Sequence, residues 1–357
     1  MTAHDEAAAL EQAVAYHRMA RLRPEWSRPA KPLLAVGAAL LTYVLLISVV
    51  LVGTVLILAL VPGGAPALGA TSGDPASPLD VGLALLMGAA WLPAGIVGVR
   101  VGGWRPFGTA WSVTSTFRRD LLRWCAPWVL GGGLLVVAAA AVAGALAGSV
   151  DTGADGGAAD GAALAASAGP TPLAAVALVL LVLVLAPVQA AGLELVLRGL
   201  VLQAAGTWLR APVAALLPVL AVVLIGRDLT PAVLLPALTA ALCSGVLAWR
   251  SGGLELPIAL STVLTIAALL TAAFGAGTGA GAGIASLVAG LSAPGTSGTA
   301  LDAAGSSAAL AGAVAGTIAL LLVTVGLMVL LGRREGTGPL CPTLRDATSA
   351  VPSPLGV

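Results

Sequence analysis

The chain has 357 residues, of which 59% are hydrophobic and only 9% carry a charge. A soluble globular domain has about 25% charged residues, so this composition excludes that class and indicates a polytopic membrane protein. The formal net charge of +1 gives no indication of nucleic-acid binding, and we expect none.

The apolar runs divide the chain into a membrane domain and two tails. Residues 1–31 are polar and mixed in charge, and we expect a cytoplasmic tail. Several runs in residues 32–331 approach or exceed the ~20 residues that a spanning helix needs. In chain order, the predicted spans cover about 33–61, 81–99, 126–147, 173–192, 211–226, 231–249, 254–275 and 308–331. The fifth is short and contains Pro218. Residues 332–357 are polar and contain proline, which predicts a disordered cytoplasmic tail. The prediction is an all-α bundle of about eight transmembrane helices.

The basic residues predict the orientation of this bundle. With eight spans, Lys31 and nearly all arginines fall on one side, and Arg227 is the exception. The opposite loops, at about 62–80, 148–172 and 276–307, contain no basic residue. Because basic residues concentrate in cytoplasmic loops, we expect a multi-pass protein of the cell membrane with both termini in the cytoplasm.

One compact polar motif, GLELVLRG at residues 192–199, lies at the end of the fourth apolar run. Ionisable side chains are rare at membrane depth and usually have a reason to be there. Glu194 and Arg198 are four residues apart, so on a helix they share a face and can pair. Two interpretations remain open: a structural pair near the cytoplasmic interface, or part of a catalytic site in which Glu194 acts.

The segment around this motif, APVQAAGLELVLRGL at residues 186–200, resembles the CPBP family of intramembrane proteases. This family includes the CAAX prenyl endopeptidases and bacteriocin-processing or immunity proteins. Its signature is two consecutive glutamates, three residues, and an arginine that is usually followed by glycine. Glu194 and Arg198 match the second glutamate and the arginine. Three further segments are similar to family members: YHRMA at 16–20, GTAWSV at 108–113 and GVLAWRSGGLE at 245–255.

The resemblance also implies which positions would carry catalysis. In the family, the first glutamate, two histidines from later helices and an asparagine form the catalytic cluster, and Glu194 and Arg198 would be its supporting pair. An ungapped alignment on GVLAWRSGGLE places these four positions, in that order, at Leu193, near Gly226, at Ser261 and at Thr265. A leucine can neither hold nor deprotonate a water. All four positions therefore depart from the family pattern.

A metal site is not expected either. The chain has two histidines, His4 and His17, and both precede the first predicted span. The resemblance would imply zinc, and a hydrolytic zinc site normally uses three protein ligands, mostly His with Asp, Glu or Cys. The candidates are Glu194 and Cys243 at membrane depth and Asp228 or Glu255 near the span ends, and they are far apart in sequence. We therefore expect no metal and no other cofactor, unless His17 folds back into the membrane.

Three hypotheses follow. The first is a catalytically inactive CPBP-like protein that lies among membrane lipids and binds a transmembrane or prenylated segment of a partner protein. The second is an active, divergent protease in which Glu194 is the base and His17 or a carboxylate assists. The third is a transporter component, which would need polar residues along several spans. Spans one, three and eight contain few of them.

Overall fold

The computed structural model describes residues 14–22, 30–60, 76–103, 107–154, 170–209, 211–226, 229–275, 280–284 and 306–345, and they are almost entirely helical. The main α-helices are α1 (Ala30–Leu60), α2 (Pro78–Ala89), α3 (Trp91–Val101), α4 (Arg119–Ala154), α5 (Pro172–Glu194), α6 (Gln203–Trp208), α7 (Ala211–Gly226), α8 (Pro231–Ser251), α9 (Glu255–Phe274) and α10 (Ser307–Glu335). A π-helical segment, Leu195–Leu202, joins α5 to α6, and 3-10 turns cover Tyr16–Leu22 and Phe107–Ala110. Two short strands, β1 (Val14–Ala15) and β2 (Leu344–Arg345), pair in antiparallel orientation.

Seven helices in the described part of the chain are long and apolar enough to cross a membrane. They are Ala30–Leu60, Pro78–Val101, Arg119–Val150, Pro172–Trp208, Pro231–Ser251, Glu255–Phe274 and Ser307–Glu335. This confirms the prediction of a helical, multi-pass membrane protein. The predicted fifth span is different, because α7 has only 16 residues and contains Pro218. At ~1.5 Å per residue α7 is about 24 Å long, which is shorter than the ~30 Å hydrocarbon core.

The packed core surrounds α9, which contacts α4, α5 and α8. Leu256, Leu260 and Leu264 lie one turn apart on α9 and are almost fully buried. Lipid tails are as apolar as leucine, so membrane helices associate through close packing, and outward-facing leucines need no protein partner. At the periphery, α1 has four buried residues near its start and none from residue 44 to residue 60.

Two glycines allow the α2–α3 pair to lie directly on α5. A Cβ on Gly192 would lie 2.9 Å from the carbonyl carbon of Trp91 and even nearer to the backbone nitrogen of Leu92. Backbone atoms cannot move aside as a flexible side chain can, so this crossing requires glycine. A Cβ on Gly88 would likewise lie 2.6 Å from the side chain of Gln189. The helix that carries Glu194 is therefore held tightly against its neighbours.

Helices α8 and α10 run in the same direction. Val233 at the start of α8 shares a buried cluster with Ala309 at the start of α10. At the other end, Arg250 of α8 pairs with Glu335 of α10 at 2.7 Å. The β1–β2 pair joins the two described end segments, and Thr343, one residue before β2, donates its N–H to the Arg250 carbonyl. We call this end of the bundle, marked by Arg250, Glu335 and the two strands, the terminal face.

The C-terminal segment up to residue 345 packs against the bundle, although its composition predicted disorder from residue 332 onward. Helix α10 continues to Glu335, and Gly336, with φ 64°, ends it. The chain then folds back on α8, where the buried Arg250 side chain donates to the Pro339 carbonyl and to Thr337 Oγ1, each at 3.0 Å. A buried guanidinium has five N–H donors to satisfy, and this segment supplies acceptors. Residues 346–357 lie outside the described residues.

Candidate functional site

The polar motif lies where α5 changes its hydrogen-bonding pattern. Glu194 is the last residue of α5, and Arg198 lies within the π-helical segment Leu195–Leu202. π-Helical turns are rare and are frequently found at functional sites. The local sequence contains no proline from Gly192 to Trp208 that would have indicated this change.

Glu194 and Arg198 form an ion pair in the bundle interior. Arg198 Nη1 lies 3.3 Å from Glu194 Oε2, and the two side chains are 4% exposed. Ser261 on α9 donates its hydroxyl to Glu194 Oε1 at 3.1 Å, and Arg198 Nη2 donates to the Ala241 carbonyl on α8 at 2.7 Å. The pair therefore ties three helices together. Within the described residues, Glu194 Oε2 and Arg198 Nε make no hydrogen bond.

Leu193 and Thr265, two other family-like positions, lie on the helices that carry Glu194 and Ser261. Leu193 is partly buried and packs with Tyr43 and Trp91, whose rings stack at 3.7 Å between centroids. Neighbouring helical residues point about 100° apart, so Leu193 and Glu194 face different surroundings. Thr265 is buried on α9, one turn beyond Ser261. Gly226 is the last residue of α7, and residues 227 and 228 after it lie outside the described chain.

His17 folds back onto the terminal face. It is buried on the 3-10 turn Tyr16–Leu22, where its carbonyl and ring lie against Gly206 of α6. Gly206 is about three helical turns beyond Glu194, or roughly 18 Å along the axis at ~1.5 Å per residue. His17 is thus placed against the far end of the same long helix. His4 lies outside the described residues.

The three further family-like segments meet one another at the terminal face. The Tyr16 hydroxyl donates to the Ala110 carbonyl at 2.6 Å, and Leu254 N–H donates to the Trp111 carbonyl at 2.8 Å. Segments 16–20, 108–113 and 245–255 therefore form one assembly. The resemblance indicated each segment separately, and the contact between the segments was not predicted.

A buried clamp completes this assembly, and we did not predict it. Glu255 is 1% exposed and accepts from Arg118 Nε at 3.0 Å, from Arg118 Nη2 at 2.9 Å and from the Arg118 backbone N–H at 3.1 Å. Two parallel bonds between guanidinium and carboxylate give both strength and orientation. The only sequence signal was an acidic residue at the start of an apolar run. Nothing in the sequence indicated that Arg118, 137 residues away, would be its partner.

Tyr16 gives this face a measurable pH dependence. Burial raises the pKa of Tyr16 above its ordinary value of 10.0; the Gln203 hydrogen bond opposes this, and the Glu255 and Glu194 charges add to it. A phenol whose pKa is higher in the folded state contributes stability below pH 10, and that stability is lost as the pH rises further.

In a Tyr43→Phe variant Tyr16 is the remaining tyrosine. We expect its ultraviolet tyrosinate band to appear only as the chain unfolds. A reversible midpoint near the ordinary pKa in the folded protein would contradict this burial.

Metal ligands are not grouped in the described part of the chain, where no three His, Cys, Asp or Glu side chains lie close enough to share an ion. The expectation that the protein uses no zinc remains a prediction, since His4 lies outside the described residues. The described residues contain a buried ion pair between Glu194 and Arg198, and Ser261 donates a hydrogen bond to Glu194. A separate polar assembly lies at the terminal face. Comparison with protein-family models, curated proteins and solved structures finds no match to this chain.

Proposed function

We propose that the chain crosses the cell membrane eight times, that its terminal face is cytoplasmic, and that its fold resembles the CPBP family. In this arrangement α7 carries the chain across, although it is short. The orientation rests on the basic residues, which are numerous at the terminal face and absent from the predicted opposite loops. A reporter fused after β2 that responds only outside the cell would contradict it.

The path of the chain supports eight crossings. β1 and β2 pair, so the two described end segments share one face, and this favours an even number of crossings. Helix α6 lies at that face beside His17, whereas α8 starts at the opposite end, next to the start of α10. Since α7 connects α6 to α8, it has to bridge the two ends.

We infer that the protein binds a transmembrane or prenylated segment of a partner without hydrolysing it. The observation that supports this proposal is that both oxygens of Glu194 are occupied. Oε2 pairs with Arg198, and Oε1 accepts a hydrogen bond from the Ser261 hydroxyl. Ser261 stands at a family histidine position, and Leu193, at the family's first glutamate, packs among apolar rings. The acid thus supports helix packing, since Arg198 and Ser261 already engage its two oxygens.

The outer half of α1 is the surface where such a segment would dock. From residue 44 to residue 60 this helix buries no residue within the chain, and Leu56 and Ile57 are 58% and 64% exposed. Its last buried residue is Tyr43, and Leu46 and Ile47, about one turn farther on, are partly buried against the cluster of Tyr43 and Trp91. An apolar helix surface that the rest of the described chain leaves uncovered offers a side along which a second apolar segment can pack.

The test uses the full chain in liposomes with a fluorescent farnesylated peptide and its unlipidated counterpart. A photo-crosslinking benzoylphenylalanine replaces Leu56 or, as the control, Val142, which is 59% exposed on α4. We expect saturable labelling of the farnesylated peptide from position 56, little labelling from position 142, and no shortened peptide.

Two outcomes would overturn this proposal. Equal labelling from both positions means that the peptide only shares the lipid with α1. Peptide cleavage that Glu194→Gln abolishes means that Glu194 is a catalytic base and that the protein is a divergent protease. Unchanged cleavage in that variant would point to contamination by another enzyme, so the binding arm would still decide.

A further inference from the structure

Four exposed arginines lie at adjoining ends of α4 and α10. Arg119 and Arg123 are one turn apart at the start of α4, and Arg333 and Arg334 occupy the last turn of α10. All four side chains are exposed. Helices α4 and α10 pack together extensively, and both of these ends belong to the terminal face. This is a concentration of positive charge contributed by two different helices.

A cation–π contact joins the two pairs. Trp124 follows Arg123 in the chain, and Arg334 Cζ lies 5.0 Å from the centre of the Trp124 ring. Such contacts hold a guanidinium in place over the face of an aromatic ring. Together with Trp124, the four arginines form what we call the arginine–tryptophan patch: Arg119, Arg123, Trp124, Arg333 and Arg334.

The positive charge of this patch is only partly balanced within the described residues. Glu335 pairs with Arg250, and Glu255 pairs with Arg118, so neither acid is available to it. Asp120, in the first turn of α4, is the acidic residue left beside the patch. Four arginines and one aspartate give a local charge of +3. An anionic partner is therefore favoured.

The aromatic residues indicate that this charge lies at the membrane interface. Trp124 is 37% exposed, and Trp128, one turn farther along α4, is 53% exposed. Tryptophan concentrates at the depth of lipid headgroups, where its ring is half in hydrocarbon and half in the polar layer. Beyond Trp128 the exposed residues of α4, such as Leu130 and Leu134, are apolar. Along α4 the arginines come first, the tryptophans next and the apolar residues last. A phospholipid has the same order of charged headgroup, interfacial region and acyl chain.

We propose that the arginine–tryptophan patch binds the headgroup of an anionic phospholipid, with the acyl chains lying along Trp128 and the apolar surface of α4. Guanidinium groups bind phosphate oxygens in a bidentate manner. The amino-terminal end of α4 adds a favourable partial positive charge. This site is independent of the partner-binding function, because it lies on α4 and α10 and uses none of the residues around Glu194.

The experiment titrates the purified full chain in neutral detergent with phosphatidylglycerol or phosphatidylcholine and follows the first bound lipid by native mass spectrometry. Removing two charges with Arg123→Gln and Arg334→Gln is expected to weaken phosphatidylglycerol binding about 30-fold, given the usual contribution of a basic residue at an anionic surface. Phosphatidylcholine binding should barely change. The charge-preserving pair Arg123→Lys and Arg334→Lys should lose less affinity than the glutamine pair, because it keeps the two charges but not the bidentate bonds.

The matched control is Arg18→Gln with Arg100→Gln, which removes two exposed arginines from other elements. We expect this control to leave phosphatidylglycerol binding within about twofold, since screened charges elsewhere contribute little. An equal loss in both double variants would show diffuse attraction and no site. Unchanged binding after the loss of Arg123 and Arg334 would overturn the proposal directly. Unchanged melting temperatures would show that the variants are folded.

Discussion

Glu194→Ala is expected to destabilise the folded protein by about 3–5 kcal/mol, because it leaves the buried Arg198 charge without its partner. Arg198 is 3% exposed, so water cannot replace the lost carboxylate. The Ser261 hydroxyl loses its acceptor in the same variant. Equilibrium unfolding in detergent would measure the change.

The matched control is the double variant Glu194→Ala with Arg198→Met. Removing both charges of a buried pair is often neutral or stabilising, whereas removing one is costly. The wild-type pair is also incompletely satisfied, since Glu194 Oε2 and Arg198 Nε make no hydrogen bond within the described chain. We therefore expect the double variant to be more stable than the single one. Equal stability of the two variants would show that the ion pair is not what holds these helices.

Arg250→Ala is expected to destabilise the terminal face by about 3 kcal/mol, at the low end for a broken buried pair because the Glu335 side chain keeps 27% exposure. The change removes the bonds to Glu335, Thr337 and Pro339 together. We expect the segment after α10 to separate from α8 and become sensitive to protease. Limited proteolysis with mass mapping, and thermal unfolding, would measure both effects.

Arg333→Ala provides the comparison for Arg250→Ala. Arg333 is exposed in the last turn of α10, and surface substitutions of this kind usually change stability by less than about 0.5 kcal/mol. Arg250→Lys should rescue little, because an ammonium cannot reproduce the three directed contacts of the guanidinium. If protease protection of residues 337–345 were unchanged in Arg250→Ala, the β1–β2 pair would be sufficient to hold the segment.

The prediction of membrane helices succeeded because the bilayer imposes a simple length on apolar segments. Seven of the predicted runs became helices of spanning length, and the short fifth run became the short α7. The i,i+4 spacing of Glu194 and Arg198 likewise anticipated a contact that the structure shows at 3.3 Å. Local spacing was sufficient there, even though the backbone at Arg198 is π-helical.

The chain's own sequence thus determined the membrane environment, most helix positions and the local ion pair, since each depends on hydropathy or on residues within one turn. Only the tertiary structure decided which distant groups complete the polar contacts. Arg250 donates a hydrogen bond to the Pro339 carbonyl, Tyr16 to the Ala110 carbonyl, and Ser261 to the Glu194 carboxylate. These partners are 67 to 94 residues apart. The polar, proline-containing composition of residues 332–357 predicted disorder. A buried guanidinium on another helix requires acceptors, and that requirement, which is not local, orders the segment.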